Sequence, residues 1–195
     1  YPRFSKIDLA CGTMPSQKDT NVLLCAAGSY TGELQETFNH RNIAGDHVSG
    51  GKRYNGYRCE RNTAAFVYYN GQWKFLHKNY SAELNVAASN GGCGFAQEMI
   101  IHQGIPVTTV RKDSNRNIFR ALCQLDGRLC VIESDSNITF GAFKSSLMAL
   151  KVSEALYMDM GNGWNHAWYR VGNDSVNVMH PKKHNYCTNW ITFYK

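Results

Sequence analysis

Short spans of alternating apolar and polar residues run along this chain, and turn residues bound them. Ala64–Tyr69 and Gln72–His77 are two such spans, separated by Asn70-Gly71. That dipeptide is the preferred type I′ turn of a two-residue hairpin. The turn sets the register: Tyr68 faces Trp73 and Phe66 faces Phe75, four aromatic residues on one face that form a core wall. A second hairpin is predicted over 118–125 and 128–134, around Asp126-Gly127. Its register puts Cys123 opposite Cys130 and Arg120 opposite Glu133, with Arg120, Leu122 and Gln124 on one face and Ala121, Cys123 and Leu125 on the other.

The remaining elements follow from the same pattern. Residues 21–27 read as a buried strand ending in the glycine-bounded loop 28–32. Ser81 is placed to cap a short helix that Gly91-Gly92 ends. Residues 95–102 read as one strand. Thr139 caps a helix with Phe140, Phe143, Leu147, Met148 and Leu150 at helical spacing. It leads into a strand over 155–160, and strands near 168–178 and 186–194 close the chain. Strands outnumber helices and come mostly as hairpins. The fold class is α+β, a largely antiparallel sheet with two or three short helices, in a single domain over 1–195.

Composition narrows the function. A chain of 195 residues supports one full core. Its net charge of +6 gives a mild bias toward anionic partners such as phosphates or acidic glycans. The basic residues are scattered apart from Lys182-Lys183-His184, which argues against nucleic acid. No apolar run is long enough to span a bilayer. The first residue is Tyr1, which reads as a processed or trimmed end with any signal peptide removed. The seven cysteines include no C-x-x-C, so zinc-ribbon and thioredoxin motifs are absent. Cys123 and Cys130 fall in a hydrogen-bonded pair, where side chains stand apart, so free thiols are expected there.

Several residues carry chemistry. Asp159 lies in a short apolar run just before a loop with two glycines, two asparagines, a histidine and two tryptophans. Two readings stand for it: a catalytic carboxylate, or a cap for that loop's amides. Alternation puts Leu156, Met158 and Met160 on one face and Tyr157 and Asp159 on the other. Arg120 and Glu133 form either a cross-strand ion pair or an arginine fixed to grip an anion. Trp164 and Trp168 either stack on a sugar or anchor the core. His40, Asp46 and His47 share a polar loop, but their spacing matches no dense metal motif, and loop histidines are more often hydrogen-bonding residues. Glu98 and His102 share a strand face. Cys25 reads as a buried thiol; a nucleophile with a remote histidine is the other reading.

The segments Arg120-Ala-Leu-Cys, 126–135, Thr139-Phe140 and Ala155-Leu-Tyr-Met-Asp-Met-Gly161 together resemble the phosphodiester glycosidase family, in a bacterial branch. Upstream, Ala26-Ala-Gly-Ser-Tyr30 stands where the family has Asn-x-Gly-Phe-Phe. The family's Leu-Asp-Gly-Gly-Gly-Ser is replaced here by Met158-Asp-Met-Gly-Asn-Gly-Trp164. The resemblance implies a secreted or periplasmic hydrolase that cleaves a glycosyl phosphodiester in a phosphorylated glycan or envelope substrate. It implies catalysis by Asp159 and Arg120, with a second carboxylate from Glu98, Glu133 or Asp46 and His47 as proton donor. Gly161, Gly163, Asn165, Trp164, Asp46 and Glu133 would contact substrate. No cofactor is expected, and a divalent cation is left open. The alternative is a non-catalytic glycan- or phosphate-binding domain on the same fold. If the assignment holds, Arg120 and Asp159 open onto a common cleft.

Overall fold

The computed structural model describes residues 1–32, 37–161, 166–172, 175–181 and 187–195. Its strands, in chain order, are β1 (Lys6–Cys11), β2 (Val22–Ala27), β3 (His47–Ser49), β4 (Lys52–Tyr54), β5 (Ala64–Tyr69), β6 (Gln72–His77), β7 (Cys93–Gln97), β8 (Met99–His102), β9 (Ile105–Pro106), β10 (Arg116–Asn117), β11 (Arg120–Leu125), β12 (Arg128–Glu133), β13 (Ile138–Thr139), β14 (Glu154–Met158), β15 (Ala167–Val171), β16 (Ser175–Met179) and β17 (Asn189–Tyr194). The helices are α1 (Ser81–Ser89) and α2 (Phe140–Ala149), and His40–Asn42 makes one 3-10 turn.

Fifteen of the strands form three five-stranded sheets, ordered β1-β17-β2-β15-β16, β4-β3-β7-β5-β6 and β12-β11-β14-β8-β9, and β10 and β13 pair as a two-stranded ribbon. All pairings between these strands are antiparallel. One central core joins them. Ile7, Leu9, Ile191 and Phe193 enter it from the first sheet, Phe66, Phe75 and Phe95 from the second, and Leu122, Leu156 and Met158 from the third. Each helix covers the outer face of a sheet. Leu84 and Ala87 of α1 pack on Val48 and Val67. Phe140, Phe143 and Leu147 of α2 pack on Ala121, Cys123, Ala155 and Tyr157. No helix among the described residues is long and apolar enough to cross a membrane.

Both hairpins have the predicted registers. Phe66 pairs with Phe75 and Tyr68 with Trp73. Arg120 pairs with Glu133 and Cys123 with Cys130. The turns take positive φ at Asn70 (51°) and Gly71 (73°), and at Asp126 (51°) and Gly127 (70°), as a type I′ turn requires. Cys123 and Cys130 are free thiols. Thr139 caps α2 as expected, its side chain accepting from the Ala142 amide. Thr139→Ala is expected to lower stability by about 1 kcal/mol, read as a reduced urea midpoint at unchanged slope.

Four expectations are corrected. Residues 95–102 are two strands in two different sheets, β7 and β8, with Glu98 between them. Glu98 and His102 therefore share no strand face; His102 bonds Glu154 instead. Ser81 is the first helical residue of α1, with Tyr80 at the cap position and no side-chain capping bond. Residues 168–178 hold two strands, β15 and β16, paired as a hairpin. Finally, β14 ends at Met158, so alternation stops there. Met160 packs with Tyr157 rather than with Met158.

Candidate active site

The chain leaves β2 into Gly28–Thr31, and this segment is clamped from several sides. The Asn189 side chain accepts from the Ser29 amide at 2.7 Å and donates to the Ser29 carbonyl at 3.0 Å. The Ser29 hydroxyl lies 2.6 Å from the Ala44 carbonyl and 2.9 Å from that of Ala96. The Gly28 carbonyl accepts from the Gln97 side chain and from the Asp159 amide. The segment Gly28–Thr31 is thus fixed against the end of β14.

Asp159 sits at that end and is 5% exposed. One carboxylate oxygen accepts from the Gly161 amide at 3.1 Å, the other from the Thr31 amide at 3.3 Å. The capping reading is therefore realised in the fold. Its acidity is the informative feature. Burial pushes the Asp159 pKa up to about 6, against the Gly161 and Thr31 amides and the Arg111 charge, which all pull it down. A buried carboxylate whose hydrogen bonds come from neutral amides is poorly solvated and correspondingly basic.

Two arginine–glutamate pairs stand around Tyr157. On one side, Arg120 is fully buried at the start of β11. Its Nε donates to Glu133 Oε2 at 2.7 Å, and its Nη2 reaches the same oxygen at 2.5 Å. The other Glu133 oxygen lies 2.8 Å from His180 Nε2. On the other side, Arg111 Nε donates to Glu98 Oε2 at 2.7 Å. The Arg111 guanidinium also lies 4.0 Å from the Tyr157 ring centroid and 5.0 Å from that of Phe140, a stacked geometry that arginine favours. Glu98 further accepts from the Tyr30 hydroxyl at 3.0 Å and from the Thr109 hydroxyl. Arg120 pairs across the sheet with Met158, the residue before Asp159. The half-buried Cys187 thiol feels both charges, raised by Asp159 and lowered by Arg120, with desolvation the largest effect.

Several of the other predicted site residues have partners of their own. Asp46 forms an ion pair with Arg53. His47 is fully buried and bonds His40 and the Gly45 carbonyl. Burial lowers its pKa to about 4, so at neutral pH it carries no proton to give as an acid. Gly161 is in place beside Asp159, while Gly163, Trp164 and Asn165 lie outside the described residues. Trp168 is a fully buried anchor on the outer face of the first sheet, beside the buried Cys25. Burial pushes the Cys25 thiol up to about 12, which removes its nucleophilic form at neutral pH.

Sequence reading missed Arg111, Tyr30, Thr31, His180 and Cys187. Arg111 was the hardest to find, since it sits in a loop without periodicity. It also lines a cavity of about 290 Å³ with Arg61, Lys112, Asn115, Asn117 and Phe119. A larger cavity of about 660 Å³ reaches Glu133, Trp168, Arg170 and Met179. Neither Arg120 nor Asp159 lines either of these two cavities, so the expected common cleft is not seen in them.

No family model matches the sequence, and no curated protein matches it. Solved structures do. The catalytic domain of zebrafish N-acetylglucosamine-1-phosphodiester alpha-N-acetylglucosaminidase, auto-inhibited by its pro-peptide, superposes with a TM-score of 0.62. That match covers 97% of this chain and 72% of the zebrafish chain at 12% identity. At that identity the likeness is one of fold, and the chain shares the fold of that glycosidase catalytic domain.

Proposed function

We propose that this protein is a hydrolase that cleaves a glycosyl (sugar-1-) phosphodiester and releases the sugar from a phosphate-linked glycan or envelope substrate. The observation that carries this is Asp159: a buried carboxylate at a strand end, held by two backbone amides and poised near pH 6. The shared fold with a phosphodiester glycosidase supports the same reading.

The chemistry asks little of the protein beyond charge placement. The bond that breaks joins the anomeric carbon to a phosphate oxygen, and the departing phosphate is already a good leaving group. It needs a cation more than a strong acid. Arg111 is the arginine whose charge acts on Asp159. It also opens on the small basic cavity with Arg61 and Lys112, where a phosphate would be held. Asp159 in its ionised form acts at the anomeric centre, as nucleophile or as base toward water. Arg120, locked to Glu133, holds the end of β14 in place. No resident cofactor enters this scheme.

One observation favours the second reading, a domain that binds such a ligand without cleaving it. Both arginines are already matched by carboxylates, Glu98 and Glu133. The test is release of free sugar from UDP-N-acetylglucosamine and from a simple sugar-1-phosphodiester, with Asp159→Asn and Arg111→Gln alongside. Turnover lost in both variants supports the hydrolase. Saturable binding with no turnover on either compound would establish the binding domain.

A further inference from the structure

Three metal-ligating side chains from separate parts of the chain converge. Cys11 ends β1 in the first sheet, His47 begins β3 in the second, and His40 opens the 3-10 turn before it. The Cys11 sulfur and one ring nitrogen from each histidine all lie within 4.8 Å of one another. A tetrahedral zinc ion separates nitrogen ligands by about 3.3 Å and a sulfur from a nitrogen by about 3.6 Å. His40 Nδ1 and His47 Nε2 are 2.9 Å apart, so they open by only about 0.4 Å to admit such an ion. Asp46, beside them in sequence, is committed to Arg53 and is not in the cluster.

The surroundings orient these donors. His47 Nδ1 lies 3.2 Å from the Gly45 carbonyl, which only accepts, so that nitrogen bears the proton and Nε2 offers its lone pair. A backbone carbonyl on the far nitrogen is the usual outer support of a metal-bound histidine. The His40 ring is stacked on Tyr54, centroids 3.4 Å apart and planes 8° from parallel. Phe38 also meets His40 in a T-shaped contact, centroids 5.1 Å apart. Both rings are thus held at fixed angles before any ion arrives.

We propose that Cys11, His40 and His47 form a binding site for one thiophilic divalent ion of the zinc class. Loading releases one proton, from the Cys11 thiol, as the sulfur–metal bond forms. The proton now shared between the two rings stays on His40, moving from Nδ1 to Nε2 as Nδ1 takes the metal. The ion ties β1 of one sheet to β3 of another, where the Ser49 hydroxyl already donates to the Leu9 carbonyl. A soft sulfur and two imidazoles select such ions over magnesium or calcium, which prefer oxygen.

Cobalt(II) titrated into chelator-treated, reduced protein reads this site directly. A thiolate-to-cobalt charge-transfer band in the near ultraviolet is expected at one equivalent, bleached by zinc and unaffected by excess magnesium or calcium. Zinc at about a hundredfold excess over Kd is expected to raise Tm by roughly 5–10 °C. Cys11→Ser, checked as folded by circular dichroism, is expected to abolish the band, and His40→Gln to weaken binding at least about tenfold. Cys59→Ser, a thiol outside the cluster, is expected to bind as wild type. Absence of the band in the wild type, its persistence in Cys11→Ser, or displacement by magnesium would each overturn the assignment.

Discussion

Asp159→Asn is expected to lower sugar release by about a thousandfold or more while making the protein relatively more stable as pH rises. The two effects have one cause. In the native state burial holds the Asp159 pKa at about 6, against an ordinary 3.8. Between those values the folded chain keeps a proton that the unfolded chain has lost. Stability from this group is therefore fully present below about pH 4, is lost as pH rises toward 6, and stays lost beyond. The cost at neutral pH is about 3 kcal/mol. Asparagine carries no charge and escapes it. It does turn an NH2 toward one of the two amides that Asp159 now accepts, at a cost of about 1 kcal/mol that does not vary with pH. Urea unfolding of both proteins at pH 4, 5, 6 and 7 separates the terms: the variant gains on the wild type at each step. A stability difference that stays flat across that range would show that Asp159 titrates as an ordinary surface carboxylate. The same carboxylate sets the rate profile, so wild-type kcat/KM is expected to rise through about pH 6 rather than fall.

Arg120→Met is expected to destabilise the fold by about 3–5 kcal/mol, because it strands the Glu133 carboxylate beside an apolar side chain. Arg120 has no solvent exposure, so water does not replace it. Glu133 keeps His180 as a partner and is partly open to solvent, which places the loss nearer the lower figure. The double variant Arg120→Met with Glu133→Leu is expected to regain most of that stability, since a well-packed apolar pair often equals a buried ion pair. Activity separates the pair's two roles. If the pair only holds the end of β14, turnover returns with stability in the double variant. If Arg120 also holds the phosphate, stability returns and turnover does not. Urea midpoints and kcat/KM on the wild type, Arg120→Met, Glu133→Leu and the double variant complete the cycle.

The parts of this fold legible in the sequence are those where local chemistry and long-range structure agree. Asn70-Gly71 and Asp126-Gly127 specify a turn type, the turn specifies a register, and the register places Arg120 opposite Glu133. Thr139 with three buried apolar residues on one stripe specifies α2. The failures share a different cause. Residues 93–101 are buried in both β7 and β8, so no polar alternation marks a face, and the polar pair Gln97-Glu98 at the joint looks in sequence like polar positions within one strand rather than a change of sheet. Arg111 sits in a polar loop whose pattern says only that it is a loop. Its importance comes from Tyr157 and Glu98, which are far off in sequence and adjacent only after folding. Asp159 was visible as a lone acid before a glycine-bearing loop. Its raised pKa was not, since that depends on how completely the clamped Gly28–Thr31 segment closes over it. His40 and His47 lie close together in the chain, but Cys11 completes their cluster from a distant strand, and no spacing rule reaches that far.

The one-residue passage between β7 and β8 bears on how this protein can change over evolution. Glu98 is both the joint between two sheets and the anchor for Arg111, Tyr30 and Thr109. Lengthening the joint by a single residue would rotate that carboxylate out of its cluster and shift β8 against β14 by one pleat. Insertions are therefore barred at the centre of the molecule. Among the described residues, β1, β16, β4, β6, β12 and β9 are the outer strands of their sheets, and loops at the periphery can lengthen with less disturbance to Asp159. Relatives of this chain are expected to keep the joint at constant length and to differ in size at the periphery.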